Sequence, residues 1–235
     1  MGESRAVTVI AGLFAIAAAI AMFLSGILHP DAGNADSHRE AYHTMASGAN
    51  WDIAHWMLLI GFLLISVTLA LIVEVPRLAA HRLLMAFSRV AMIASLFMTI
   101  HGIPHLLVAS ERDQLASGGP APLYEFTRWT EAVGLPFFGL AIAAVALAGM
   151  REKALSGRSI AILGAIGALV FGTAGLLTAG FAIGAADVLF PLSALISLWL
   201  SWWGVGLVRC AIAQSDRSNL PNEAPSRAQD QVIAV

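Results

Sequence analysis

Six long apolar runs dominate this chain, and they leave little freedom in fold class. They cover roughly residues 6–28, 53–73, 83–108, 130–150, 159–183 and 188–208. About 20 apolar residues suffice for a helix to cross a hydrocarbon core of about 30 Å, where only helices or closed barrels satisfy their own backbone. Continuous rather than alternating apolarity selects the helix. The expectation is an all-α polytopic membrane protein with a bundle of six transmembrane helices over 1–210. A polar tail at 211–235, carrying Pro221 and Pro225, reads as disordered. Composition agrees, since 12% of residues are charged against about a quarter in a soluble domain.

Lysine and arginine set the expected orientation. Arg5, Arg77, Arg82, Arg89, Arg151, Lys153, Arg158, Arg209, Arg217 and Arg227 fall on one side, and only Arg39, Arg112 and Arg128 on the other. The positive-inside bias places both termini in the cytoplasm and turns the long loops, 31–50 and 111–128, outward from a cytoplasmic (inner) membrane. The first run is longer than a signal-peptide core and ends in Leu28-His29-Pro30 rather than a small-x-small site, so it reads as an uncleaved span. With net charge −2 and no basic block, nucleic acid is an unsuitable partner. A single cysteine, Cys210, excludes an intramolecular disulfide and any cysteine-rich metal site.

Against this apolar background the histidines stand out. Six of the seven fall toward the outward side: His29 closes the first run, His38 and His43 lie in the next loop, His55 opens the second run, and His101 and His105 end the third. His81 lies on the opposite side. Imidazoles are costly within a bilayer and mark a site by default. His101 and His105 share one helical face at i and i+4, the spacing of a pair that can bind one metal, and Pro104 between them removes a backbone donor. His55, His101 and His105 fall at matched depth, with His29 as a candidate fourth ligand. His38 and His43 read as solvated loop residues or as a lid that captures an ion.

Two carboxylates are candidates for acid–base work. Asp52 precedes His55 by three residues, on the same face, and could act as general base, orient a liganding histidine or cap its helix. Glu131, read as lying in the first turn of the fourth span, could act as general base or simply favour the helix dipole. Asp187 reads as a cap of the last span. A donor set of imidazole and carboxylate suits zinc, copper, iron or manganese. Haem b would need His55 opposite one of the third-span pair, and the i, i+4 spacing fits a compact ion more simply.

The remainder reads as scaffold. Gly164, Ala168 and Gly172 allow close helix approach, and Trp199, Trp202 and Trp203 fit an aromatic belt at the cytoplasmic interface. An echo between Trp51 with Gly61 and Trp129 with Gly139 reads as coincidence in alanine-rich sequence. The three histidines with Asp52 and an HxxxH element resemble the constellation of intramembrane zinc amidases of the alkaline ceramidase type. That resemblance implies metal-dependent hydrolysis, covers only these residues, and departs from the family in span number and cytoplasmic segments. The sequence therefore points to a membrane protein with an outward transition-metal or haem site, as a metal-dependent enzyme on a lipid-like or small apolar substrate. The alternatives are a metal or small-molecule transporter, and a non-catalytic subunit of an oligomer or membrane complex.

Overall fold

The computed structural model describes residues 2–33, 35–75, 77–154 and 157–218, with side chains described from 5 to 213. Among the described residues every regular element is helical. They are α1 (Gly2–Leu28), α2 (His38–Ala46), α3 (Trp51–Val73), α4 (Arg82–Leu107), α5 (Arg112–Ser117), α6 (Pro122–Arg151), α7 (Arg158–Gly175) and α8 (Ala194–Ser218). A 3-10 turn, Val108–Glu111, follows α4, a π-helical turn, Leu176–Gly180, extends α7, and a 3-10 run, Gly184–Ser193, leads into α8. Six of these segments are long and apolar enough to span a bilayer. By helix length and composition the chain is a multi-pass membrane protein.

The boundaries differ from expectation where distant residues act on a helix end. The expected fourth span began at 130, yet α6 starts at Pro122. Proline is tolerated at the first helical position because its missing N–H needs no partner there. The next two N–H groups, of Leu123 and Tyr124, donate to the buried Glu111 carboxylate at 3.0 Å each, so a residue from the preceding turn caps this helix. The breaker run shrinks to four residues, opening on Gly118 at φ 72°, the left-handed conformation that ends α5. At the other end of the bundle Glu152 does the same for α4, accepting from the N–H groups of Leu83 and Leu84. The α8 helix runs to Ser218, so the first part of the polar tail continues the last span, and 219–235 lie outside the described residues.

The spans pack in chain order, α1 on α3, α3 on α4, α4 on α6, α6 on α7 and α7 on α8, and α8 returns to pack on α1. Glycine permits this last contact. A Cβ on Gly12 would stand 2.8 Å from the Gly204 carbonyl oxygen, and one on Gly204 would stand 2.6 Å from that of Gly12. Gly139 of α6 likewise sits against the backbone of Ala168 and Gly172 of α7, which agrees with the close approach expected of that small-residue stripe. Phe62, Phe138 and Phe171, from α3, α6 and α7, meet with ring centres 5.0–6.5 Å apart and fill the middle of the bundle.

The expected tryptophan belt needs correction. Trp199 and Trp203 are fully buried and stacked at 5.3 Å, with Gly164 leaving room for Trp199, and only Trp202 faces outward. An indole in an all-apolar helix suits interface and core equally by hydropathy, and the missing Cβ on α7 draws this one inward. Asp187 also departs from its expected role, because Pro191 holds the chain in the 3-10 run and α8 begins seven residues later.

Candidate functional site

The antiparallel order of the spans brings the C-terminal ends of α1 and α4 together with the N-terminal ends of α3 and α6. His29, His55, His101, His105 and Glu131 all belong to this end. Trp51 organises it. As the first residue of α3 it is buried, and its indole N–H donates to the Leu106 carbonyl at 3.1 Å, near the end of α4. Its ring lies 3.8 Å from that of His55 and stacks on His105 at 5.5 Å.

The imidazoles follow one another through space. Ring centres are 5.1 Å apart for His29 and His55, 4.5 Å for His55 and His105 and 5.3 Å for His105 and His101. His55, His101 and His105 are buried, and His29 is exposed at the end of α1.

Hydrogen bonds fix which nitrogen of each neutral ring carries the proton. The Thr130 hydroxyl lies 2.8 Å from the Phe126 carbonyl and 3.0 Å from that of Thr127, so its proton is given to its own helix. With its proton there it accepts from His101 Nδ1, 2.7 Å away, the arrangement in which His101 is protonated on Nδ1 and its Nε2 is an acceptor. His105 Nδ1, at 3.3 Å from that Nε2, is therefore the donor, and His105 Nε2 keeps its lone pair. His55 Nδ1 donates to the Trp51 carbonyl at 2.7 Å, and His29 Nδ1 to the Pro30 carbonyl at 3.0 Å. All three of His29, His55 and His105 thus present Nε2 as a lone pair. The His55 Nε2 atom is buried and has no hydrogen-bond partner among the described residues.

A roof closes over these rings. The α2 helix starts at Ser37, whose hydroxyl accepts from the Glu40 N–H, while the Glu40 carboxylate accepts from the Asp36 N–H. Arg39 reaches across to the carbonyls of Gln114, Leu115 and Gly119 around the end of α5. Tyr42, Ala46, Trp51, Val108, Leu115, Ala121 and Tyr124 form a small apolar core beneath. The Tyr42 hydroxyl donates to the buried Glu131 carboxyl at 2.5 Å, and the Tyr42 ring lies 5.7 Å from His105. Burial, and then the adjacent Glu131, hold the Tyr42 hydroxyl protonated far above its ordinary range. His38 hydrogen-bonds the Tyr124 hydroxyl at 2.9 Å, and burial followed by the Arg128 charge lowers its pKa to about 4.

The candidate residues therefore sort into three groups. His29, His55, His101 and His105 come into ring contact. Glu131 is the tenth residue of α6 rather than part of its first turn, and it serves Tyr42 of the roof. Asp52 is exposed in the first turn of α3, turned away from buried His55, where its charge suits the helix dipole. His38 is part of the roof rather than solvated, and half-buried His43 joins none of the ring contacts among the described residues. Sequence reasoning missed Tyr42, Trp51 and Thr130. Trp51 stands four residues before His55 and could have been found by that spacing, whereas Tyr42 and Thr130 act across 89 and 29 residues of chain.

Among the described residues no group of three or more His, Cys, Asp or Glu side chains is arranged to hold a metal ion as it stands. The site offers neighbouring imidazoles, a buried carboxyl, a phenol and an apolar cover. Comparison with known proteins finds no family profile, no curated protein and no solved structure that matches the chain.

Proposed function

We propose that this membrane protein binds a transition-metal ion through Nε2 of His55 and His105, with His29 as a further ligand at the mouth of the site. The buried, unpartnered His55 Nε2 carries the reading. A lone pair in an apolar surround costs free energy unless something fills it, and a metal ion or a donated proton are the two things that can. Three supporting rings have the form of metal-binding histidine, in which the nitrogen away from the metal donates to a fixed acceptor. Two imidazoles on one tetrahedral ion, with metal–nitrogen bonds of about 2.0–2.1 Å, have ring centres roughly 5 Å apart. The separations of 5.1 Å and 4.5 Å lie close to that, so the change from the present arrangement is a reorientation of rings rather than a movement of helices.

The ring spacing favours a compact ion over haem b, because a porphyrin cannot enter between rings 4.5 Å apart. The aromatic plug of Phe62, Phe138 and Phe171 favours a resident ion over passage through the bundle. The charge bias of the loops supports an orientation with this end outward from a cytoplasmic membrane and both termini inside.

Metal content and absorption of the purified full chain, reconstituted separately with zinc, copper and iron, test the reading. The expected result is one ion per chain without a Soret band, lost in His55→Ala and His105→Ala and kept in Asp52→Asn, whose side chain faces away. Wild-type protein that retains no stoichiometric metal after reconstitution overturns it.

A further inference from the structure

We infer that Thr130 is a positioning residue that sets the tautomer of His105 through His101, an inference that rests on the metal-site reading above only for its functional consequence. The relay begins in the backbone of α6. A threonine hydroxyl that has given its proton to the carbonyl three or four residues earlier has only lone pairs left, and Thr130 is in that state toward Phe126 and Thr127. His101, on α4, meets those lone pairs with Nδ1 at 2.7 Å. The neutral ring must then carry its proton on Nδ1 and accept on Nε2, and His105 must donate Nδ1–H to it. Each step leaves one choice for the next.

The consequence falls on the far nitrogen of His105. With its Nδ1 proton held, Nε2 stays deprotonated beside the unpartnered Nε2 of His55, whose ring centre is 4.5 Å away. Without the Thr130 hydroxyl nothing fixes His101, and either nitrogen of His101 can carry the proton. In one of the two resulting arrangements His105 accepts at Nδ1 and is protonated at Nε2, which blocks that atom as a ligand. The pair at i and i+4 therefore divides its work: His105 faces the site, and His101 transmits a proton position to it from a neighbouring helix. No other side chain hydrogen-bonds His101 Nδ1 among the described residues.

Thr130→Val removes the hydroxyl at nearly constant volume, and Thr130→Ser restores it. Two measurements on the detergent-solubilised full chain separate the relay from the metal site. The first is the nitrogen chemical shifts of metal-free, 15N-histidine-labelled protein. They are expected to show His105 protonated at Nδ1 in wild type and Thr130→Ser, and mixed between Nδ1 and Nε2 in Thr130→Val. The second is a cobalt(II) titration followed by its visible absorption, expected to weaken about 10- to 100-fold in Thr130→Val and to recover in Thr130→Ser. A His105 tautomer unchanged in Thr130→Val overturns the relay, whatever the cobalt result. The shift change with no cobalt binding by wild type leaves the relay standing and removes the metal reading instead. A thermal unfolding midpoint for Thr130→Val close to that of wild type confirms that both readouts come from folded protein.

Discussion

The two ends of the bundle hold their buried polar groups in opposite ways. Below the aromatic plug, the hydroxyls of Ser66 and Ser95 bond the carbonyl four residues earlier in their own helix, and the buried polar atoms of Thr68, Ser88, Trp199 and Trp203 have no hydrogen-bond partner among the described residues. Glycine contacts do the joining there through Gly12 with Gly204, and at the level of the plug through Gly139 with α7. At the histidine end the buried polar atoms reach between elements, as in Trp51 to Leu106, Tyr42 to Glu131, His101 to Thr130 and Arg39 to the end of α5. One half is a scaffold assembled by fit. The other is a network assembled by directed bonds, in which removing one member strands another. That contrast, more than the number of histidines, sets the proposed site apart from the rest of the bundle.

The contrast can be broken most forcefully in the scaffold. In Gly139→Ala the new methyl has no room against the backbone of Ala168 and Gly172, and neither can rotate away as a side chain would. We expect a loss of about 1–3 kcal/mol in detergent unfolding. Gly180→Ala, whose methyl would meet the flexible tip of Leu176 at 3.3 Å and the Ala132 Cβ at an ordinary 3.6 Å, should lose much less. Equal losses would mean that steric fit does not set the cost at Gly139.

An effect of similar size but confined to one element is expected in the network. Tyr42→Phe leaves the Glu131 carboxyl buried without its 2.5 Å donor and should cost about 1–3 kcal/mol, concentrated in the roof rather than spread over the spans. Hydrogen exchange of the α2 amides reads this directly. Faster exchange confined to α2 sharpens the contrast, and uniform loosening of all spans would erase it.

The smallest effect is a pH dependence of the same roof. His38 titrates near 4 when folded, below its ordinary 6.5, so between those values the undocked form binds more protons. Docking of α2 is therefore complete above about pH 6.5 and weakens as the pH falls toward 4. Exchange of α2, corrected for intrinsic rates, should show that slope in wild type and lose it in His38→Gln. A slope unchanged by the substitution would assign it elsewhere.

Much of this was legible in the sequence, and the limits have physical causes. The spans could be placed because crossing a bilayer demands an uninterrupted apolar length, and the ends of α1 and α3 at Leu28 and Val73 are where the apolar runs stop. The common depth of His55, His101 and His105 follows from rise per residue alone. What could not be read was direction around a helix. In a span apolar on all sides, period gives no preferred face, so Trp199 and Trp203 could not be placed inside nor Asp52 outside before their neighbours were known. The early start of α6 depends on Glu111, 12 residues before the first N–H it caps, and the roof depends on pairs separated by most of a hundred residues.

The packing of α8 on α1 has a consequence for how the molecule is made. Among the described spans α1 is made well before α8, the helix that covers its Gly12 face, so that contact can form only after α8 follows. The four imidazoles belong to the end of α1, to α3 and to α4, which are complete three spans earlier. Synthesis in chain order therefore lays down the four imidazoles first, adds Thr130 and Glu131 with α6, and closes the α1 side of the bundle with α8.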